Sequence, residues 1–225
     1  MSKNITLAFD VYGTLIDTNG VVHLLETMVG NRAKSFSQTW RDKQLEYSFR
    51  RAAMINYVSF ATCTSQALDY TCAYYKEELS ENQKSSLLSL YKVLSAFDEV
   101  KSALMILKEK GYRLFAFSNG QASAVETLLE NAGIKEFFLG IISVDDIKTF
   151  KPSPGVYAHF LRKAEVKGDE AWLISSNSFD VTGAISAGMK SAWIKRTPEA
   201  LFDPWEIRPT LIVKSLLDFT NEIGK

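Results

Sequence analysis

Apolar residues along this 225-residue chain follow two alternating rhythms, interrupted by one long stretch that keeps only the helical one. ITLAF (5–9) is a short apolar run that ends at Asp10 and enters the glycine turn VYGT, the pattern of a buried strand. From about residue 17 to 97 the apolar spacing is three and four. Phe36, Trp40, Gln44 and Tyr47 share one face there, and Leu87, Tyr91 and Leu94 share another, as on amphipathic helices. No strand is expected in that stretch. Beyond it, strands and helices alternate. VKSALMILKEKG is a helix stopping at Gly111, YRLFAF a strand running into SNG, and ASAVETLLENAG a helix stopping at Gly133. GIIS is the next strand, and Pro152 and Pro154 precede a helix through Tyr157 and Leu161. AWLIS is a strand ending in SSNSFD, and a helix ending near Gly188 leads to the strand SAWIK. The glycines stand where helix C-caps belong.

Regular alternation of strand and helix predicts a parallel sheet with helices on both faces. The expected fold is therefore α/β: a doubly wound, mainly parallel, Rossmann-like core with an inserted α-helical cap. Residues 1–16 and 98–225 form the core domain in this reading, and 17–97 the cap. Composition adds limits. Hydrophobic residues make up 46% and charged residues 23%, enough to bury a core. Lys plus Arg total 26 and so do Asp plus Glu, so no basic excess points to nucleic acid or a membrane surface. The apolar run in MSKNITLAFD is too short for a signal peptide or a span, and a cytoplasmic protein is expected. Cys63 and Cys72 fit no metal motif and are read as reduced, structural thiols. With only His23 and His159, both read as surface or boundary residues, a histidine triad or multi-histidine metal site is not expected.

Open α/β sheets bind ligands outside the carboxyl ends of their strands. Four polar clusters fall there: Asp10 to Thr14, Ser118 with Asn119, Lys151 in FKPSP, and Ser175 to Asp180. Taken singly, Asp10 reads as a turn or capping residue, the serines and asparagines as turn chemistry, and Lys151 as a surface lysine. Their convergence on one sheet edge reads as a site.

These same residues carry a resemblance. FDVYGTL, SNG, FKPSPGVY and SSNSFDVTGA resemble, in order, the four motifs of the haloacid dehalogenase superfamily. WRDKQLEYSFRR is similar to a cap helix of its L-2-haloacid dehalogenase branch. The superfamily's phosphatases carry a second Asp two residues after the nucleophile and bind Mg²⁺ through a carboxylate cluster. Here the first position is Tyr12, whose phenol is a poor acid at neutral pH, and the fourth motif offers neutral Ser175, Ser176 and Asn177 before Asp180. Asp145 and Asp146 in SVDDIK read as loop or capping residues. A halide leaves without a proton, so the expectation is a hydrolase that needs no metal and no other cofactor.

The resemblance implies roles. Asp10 would displace halide from a small 2-haloacid with inversion, leaving an ester that water then opens. A cation such as Lys151 favours the charged form of a neighbouring carboxylate. Thr14, Ser118 and backbone amides would hold the substrate carboxylate, and Arg41 and Asn119 would receive the halide. Asp180 with Ser175 and Asn177 would activate the water, supported by Tyr157. Tyr12, Leu45, Phe60 and Phe179 would form the apolar wall. Phe179 stands where Trp is usual and Asp42 where Gln is common, which bears on pocket size and on charge at the anion entrance. A homodimer is implied by the resemblance alone. A phosphatase, a hydrolase acting on another leaving group such as a strained C–N ring, and a non-catalytic binding module remain as alternatives.

Overall fold

The computed structural model describes residues 5–224; residues 1–4 and 225, which the expected core domain includes, lie outside the described residues. The first strand, β1 (Thr6–Phe9), is followed by four helices: α1 (Asn19–Val29), α2 (Ala33–Ala53), α3 (Phe60–Tyr75) and α4 (Glu81–Leu90). Then come α5 (Val100–Glu109), β2 (Arg113–Ser118), α6 (Ala122–Asn131), β3 (Gly140–Ser143), α7 (Pro154–Lys163), β4 (Ala171–Ser175), α8 (Ser178–Ser186), β5 (Lys190–Ile194), β6 (Leu211–Val213) and α9 (Leu216–Glu222).

All strand pairings are parallel, in the order β3-β2-β1-β4-β5-β6. Period-two patterning divides each central strand between two cores. Leu7 and Phe9 of β1, Leu114 and Ala116 of β2, and Trp172 and Ile174 of β4 pack in one apolar cluster, together with residues of α1, α2, α5, α6 and α9. Ala8, Phe115, Phe117 and Leu173 point the other way, into a cluster with Tyr157 and Phe160 of α7 and Ala184 of α8. Both faces of the sheet are covered, which is why its strands read as continuous apolar runs rather than as alternating ones. β1 lies at the centre and the order reverses between β1 and β4, the switch point at which such sheets bind ligands.

The stretch between β1 and α5 is helical, as expected. Its two connections to the sheet run side by side: Ile16 bridges Ala96, Asp17 N donates to Ser95 O at 2.9 Å, and Phe97 N donates to Leu15 O at 3.0 Å. Within it α2 packs along α1 and α3. Trp40 Nε1 ties α2 to α3 by donating to Thr64 O at 2.8 Å, and Ser80 starts α4 with a reciprocal capping box to Gln83. The edge strand β6 and helix α9 were not among the expected elements. Cys63 and Cys72 are free and buried on α3. Among the described residues no helix is long and apolar enough to cross a membrane.

Candidate active site

The carboxyl ends of β1, β2 and β4 deliver Asp10, Ser118 with Asn119, and Ser175 with Asn177 to one point, and Lys151 enters from the segment before α7. Behind Asp10 the chain turns back sharply. Gly13 takes φ +78°, a conformation open to glycine, and its N–H donates to Ile16 O at 2.9 Å. That turn returns Thr14 to the carboxylate.

Asp10 is 8% exposed. Its Oδ2 accepts from Asn177 Nδ2 at 2.7 Å, Thr14 Oγ1 at 2.8 Å and Ser175 Oγ at 3.2 Å. Its Oδ1 accepts from Lys151 Nζ at 3.1 Å. The same ammonium donates to Asp180 Oδ2 at 2.7 Å and Phe117 O at 2.9 Å, and stands 4.3 Å from the Phe117 ring centre. Burial alone would lower the Lys151 pKa, but the charges of Asp10 and Asp180 outweigh it and hold the amine above the ordinary lysine value. Asp180 is fully buried. Burial, reinforced by Asp10, raises its pKa to about 6 against the opposing pull of Lys151 and Tyr157. Tyr157 OH donates to Asp180 Oδ1 at 2.8 Å, and burial followed by the Asp180 charge pushes that phenol well above its ordinary value. α7 and α8 come close enough for this bond because residue 183 is glycine: a Cβ there would collide with the Tyr157 hydroxyl and lie 2.8 Å from Pro152 Cβ.

The helical segment closes the site from above. Arg41 on α2 donates through Nη2 to Asn177 Oδ1 at 3.3 Å and through Nη1 to Gln44 Oε1 at 2.6 Å. Gln44 is buried and passes the chain on, donating to Thr64 Oγ1 at 2.5 Å. Between the sheet and α2 lies a cavity of about 20 Å³, lined by Asp10, Tyr12, Arg41, Leu45, Phe60, Ser118, Asn119, Lys151, Asn177 and Phe179. Phe179 meets Phe49 of α2 edge-on, with ring centres 5.1 Å apart. Tyr12 meets Tyr91 edge-on at 5.9 Å. Burial, with Tyr91 adding and Arg41 opposing, raises the Tyr12 pKa to about 12.

All four expected wall residues therefore line one cavity, together with Asp10, Lys151 and Arg41. Thr14 does not line it. Its hydroxyl donates to Asp10 and accepts from Ser176 N at 2.9 Å, so its bonds are spent on holding the Asp10 carboxylate. Ser118 and Asn119 do line it, although Ser118 Oγ accepts from Gly120 N and Asn119 Oδ1 from Lys151 N. Ser175 and Asn177 bond to Asp10, whereas Asp180 and Tyr157 form a separate pair behind Lys151. Asp42 is exposed, accepts from Gln38 Nε2 at 2.8 Å and lines no part of that cavity, while its charge favours the charged form of Arg41. His159 is buried against Asp146 rather than at the surface, and Asp145 accepts from Tyr57 OH at 2.5 Å. The sequence reading missed Gln44 and Tyr91 as parts of the site. Their spacing put them on apolar helix faces; the signal for Gln44 was an uncharged polar group in such a stripe, which burial obliges to find partners.

The family model for haloacid dehalogenase-like hydrolases matches residues 6–188. The haloacetate dehalogenase H-2 of Moraxella sp. (strain B) is 36% identical over 196 residues, 87% of this chain and 88% of that protein. The (S)-2-haloacid dehalogenase of Pseudomonas sp. (strain YL) is 33% identical over 224 residues, covering 97% and 96%. Among solved structures, the L-2-haloacid dehalogenase from Xanthobacter autotrophicus with chloropropionic acid covalently bound superposes with a TM-score of 0.89 at 30% identity, covering 98% of each chain.

Proposed function

Because this chain belongs to the haloacid dehalogenase-like hydrolases, in their L-2-haloacid dehalogenase branch, we propose that it hydrolyses the carbon–halogen bond of small (S)-2-haloacids through an ester on Asp10, giving 2-hydroxy acids with inversion. The observation that carries the proposal is the unequal treatment of the two Asp10 oxygens. Oδ2 holds three side-chain donors; among the described residues Oδ1 accepts only from Lys151.

Oδ1 is thus the oxygen free to attack. It forms a bond to the α carbon from the side opposite the halogen, and the halide departs with the bonding pair toward Arg41 and Asn119. Residues 17–97, acting as a cap, supply Arg41 and exclude bulk water. In the resulting ester Oδ2 is the carbonyl oxygen. Water adds to the Asp10 carbonyl carbon, and the charge that develops on Oδ2 falls on Thr14, Ser175 and Asn177, donors already aimed at it. Asp180, ionised above about pH 6 and joined to Asp10 Oδ1 through the Lys151 ammonium, takes the proton of the water by way of that ammonium, which passes one proton to Asp180 and regains one from the water. Collapse breaks the acyl–oxygen bond and releases the hydroxy acid with an oxygen taken from Asp10. One proton and one halide leave for each water consumed.

The residues present do not fit a divalent cation. Among the described residues no three His, Cys, Asp or Glu side chains come together, and the two carboxylates of the site share the Lys151 ammonium. With a pKa of about 12, Tyr12 is a poor proton donor to the alkoxide that a phosphatase must release. The test is halide release from each enantiomer of 2-chloropropionate, with and without EDTA. The (S) acid should release chloride at the same rate in both conditions. No release, or release that EDTA abolishes and Mg²⁺ restores, contradicts the proposal.

A further inference from the structure

Arg196 belongs to none of the four polar clusters that make the site. It follows β5, where Lys195 N donates to Val213 O at 2.8 Å and fixes the segment against β6. It lines no part of the cavity over Asp10, yet its guanidinium reaches the turn behind that residue: Nη2 donates to the Thr14 carbonyl. Nη1 donates to Glu99 Oε1 at 2.5 Å, and the guanidinium carbon stands 3.8 Å from the centre of the Phe97 ring. Glu99 Oε1 also accepts from Leu216 N at 3.3 Å. Burial alone would raise the Glu99 pKa, but the bond and charge of Arg196 outweigh it and hold the carboxyl below its ordinary value. With 15% and 20% of their side chains exposed, Arg196 and Glu99 form a sheltered, charge-assisted pair and not a screened surface contact.

The residue that Arg196 holds is one that touches the nucleophile. Thr14 Oγ1 donates to Asp10 Oδ2 at 2.8 Å and is itself steered by Ser176 N at 2.9 Å. Ser176 is gripped in the same way: Trp193 Nε1 of β5 donates to Ser176 O at 3.0 Å, and Ser176 Oγ donates to Gly13 O at 2.8 Å. β5 and the two residues after it therefore hold both partners of the Thr14–Ser176 contact by their carbonyls, Trp193 on one and Arg196 on the other. Among the described residues no other donor reaches the Thr14 carbonyl. Its only bond is the charge-assisted one, the stronger kind.

We propose that Arg196, held by Glu99, is a positioning residue for ester hydrolysis: by fixing the Thr14 carbonyl it aims the Thr14 hydroxyl at Asp10 Oδ2. This rests on the dehalogenase reading above. The two chemical steps load different oxygens. Carbon–halogen displacement uses Oδ1, which Lys151 holds. Ester opening places charge on Oδ2, which Thr14 shares with Ser175 and Asn177. Loss of Arg196 therefore weighs on the second step. Outright loss of an oxyanion donor costs about 10²–10³ in rate, and misaiming one of three should cost less, about tenfold.

The test follows one turnover of (S)-2-chloropropionate with excess enzyme. Chloride, the Asp10 ester on the acid-quenched peptide containing FDVYGTL, and hydroxy acid are measured together, so that each step has its own rate. Arg196→Met should slow ester decay about tenfold while slowing chloride release less, and the ester should reach a higher peak than in the wild type. In a Thr14→Ala background the same substitution should add little, because residues that act through one another are not additive. Arg196→Lys keeps the charge over Phe97 but not the fork that spans Glu99 and Thr14, and it tests the assignment even if the Met variant does not fold. It should show the same selective slowing to a smaller degree. Equal slowing of both steps, losses that multiply in full with Thr14→Ala, or a Lys variant with wild-type rates in both steps overturns the positioning role and leaves the dehalogenase reading standing. A wild type that releases no chloride, or forms no ester on Asp10, refutes that reading and this inference with it.

Discussion

Arg41 donates to Gln44 at 2.6 Å, one turn along the same helix, and the buried partner of this half-buried cation is a neutral amide rather than a carboxylate. An amide orients the guanidinium without cancelling its charge, which stays available to an anion. Gln44 is itself oriented by its bond to Thr64, whose hydroxyl donates to Phe60 O at 2.9 Å.

Two substitutions at this position should therefore fail in different ways. Gln44→Glu places a countercharge beside Arg41 and should raise KM and weaken inhibition by bromide, with kcat less affected. Gln44→Leu frees the guanidinium and should cut kcat. Hydrogen bonds to charged groups contribute about 1.5–3 kcal/mol, so effects of about ten- to a hundredfold are expected. Steady-state kinetics with a bromide inhibition series separates the two; identical effects from both variants would reduce Gln44 to a packing residue.

If Asp180 is the base, it should set the pH dependence. Its folded pKa is raised to about 6, and it serves as a base only when deprotonated, so kcat should fall as pH drops through that region. Esterification of Asp10 removes one of the charges that raise it, which places the acid limb of kcat at or below about 6. Lys151 lies above the ordinary lysine value, so no alkaline limb should appear in the range where the fold survives. Asp180→Asn should lower kcat by about 10²–10⁴-fold. A profile flat through pH 5 and below, or an Asn variant with wild-type kcat, contradicts the assignment.

Gly183 is a spacing residue. The methyl of Gly183→Ala would push against the Tyr157 hydroxyl and Pro152 and separate α7 from α8. Overpacking of this kind costs about 1–3 kcal/mol, and displacement of Tyr157 should lower kcat as well. Urea unfolding and kcat measured together check this; an unchanged midpoint and rate would show that the helices adjust freely.

What the sequence revealed follows from burial. The five strands expected from apolar runs are present because both faces of the sheet are covered, and the strand ends placed Asp10, Ser118 and Ser175 on one edge. β6 escaped notice because it has three residues and Ile212 is 58% exposed, so no buried run marks it. At the site, motif order identified the residues but not their pairing. That Thr14, Ser175 and Asn177 all converge on one oxygen depends on the Gly13 turn and on the register of β1 with β4, which no linear pattern encodes. Asp42, which stands where Gln is common, shows what a family pattern leaves open: its carboxylate turns to Gln38 on the exposed face of α2, and only its charge reaches Arg41.

The covalent role of Asp10 is tested most directly by a single turnover in heavy-oxygen water, with excess enzyme and less than one equivalent of 2-haloacid. If Asp10 attacks the α carbon, solvent oxygen enters the carboxylate, and mass analysis of the peptide containing FDVYGTL should show Asp10 labelled while the hydroxy acid carries an unlabelled new oxygen. If an activated water attacks the α carbon instead, the hydroxy acid is labelled at once and Asp10 stays light. The first result is the one the geometry predicts; a light Asp10 with a labelled product would contradict the nucleophile assignment outright.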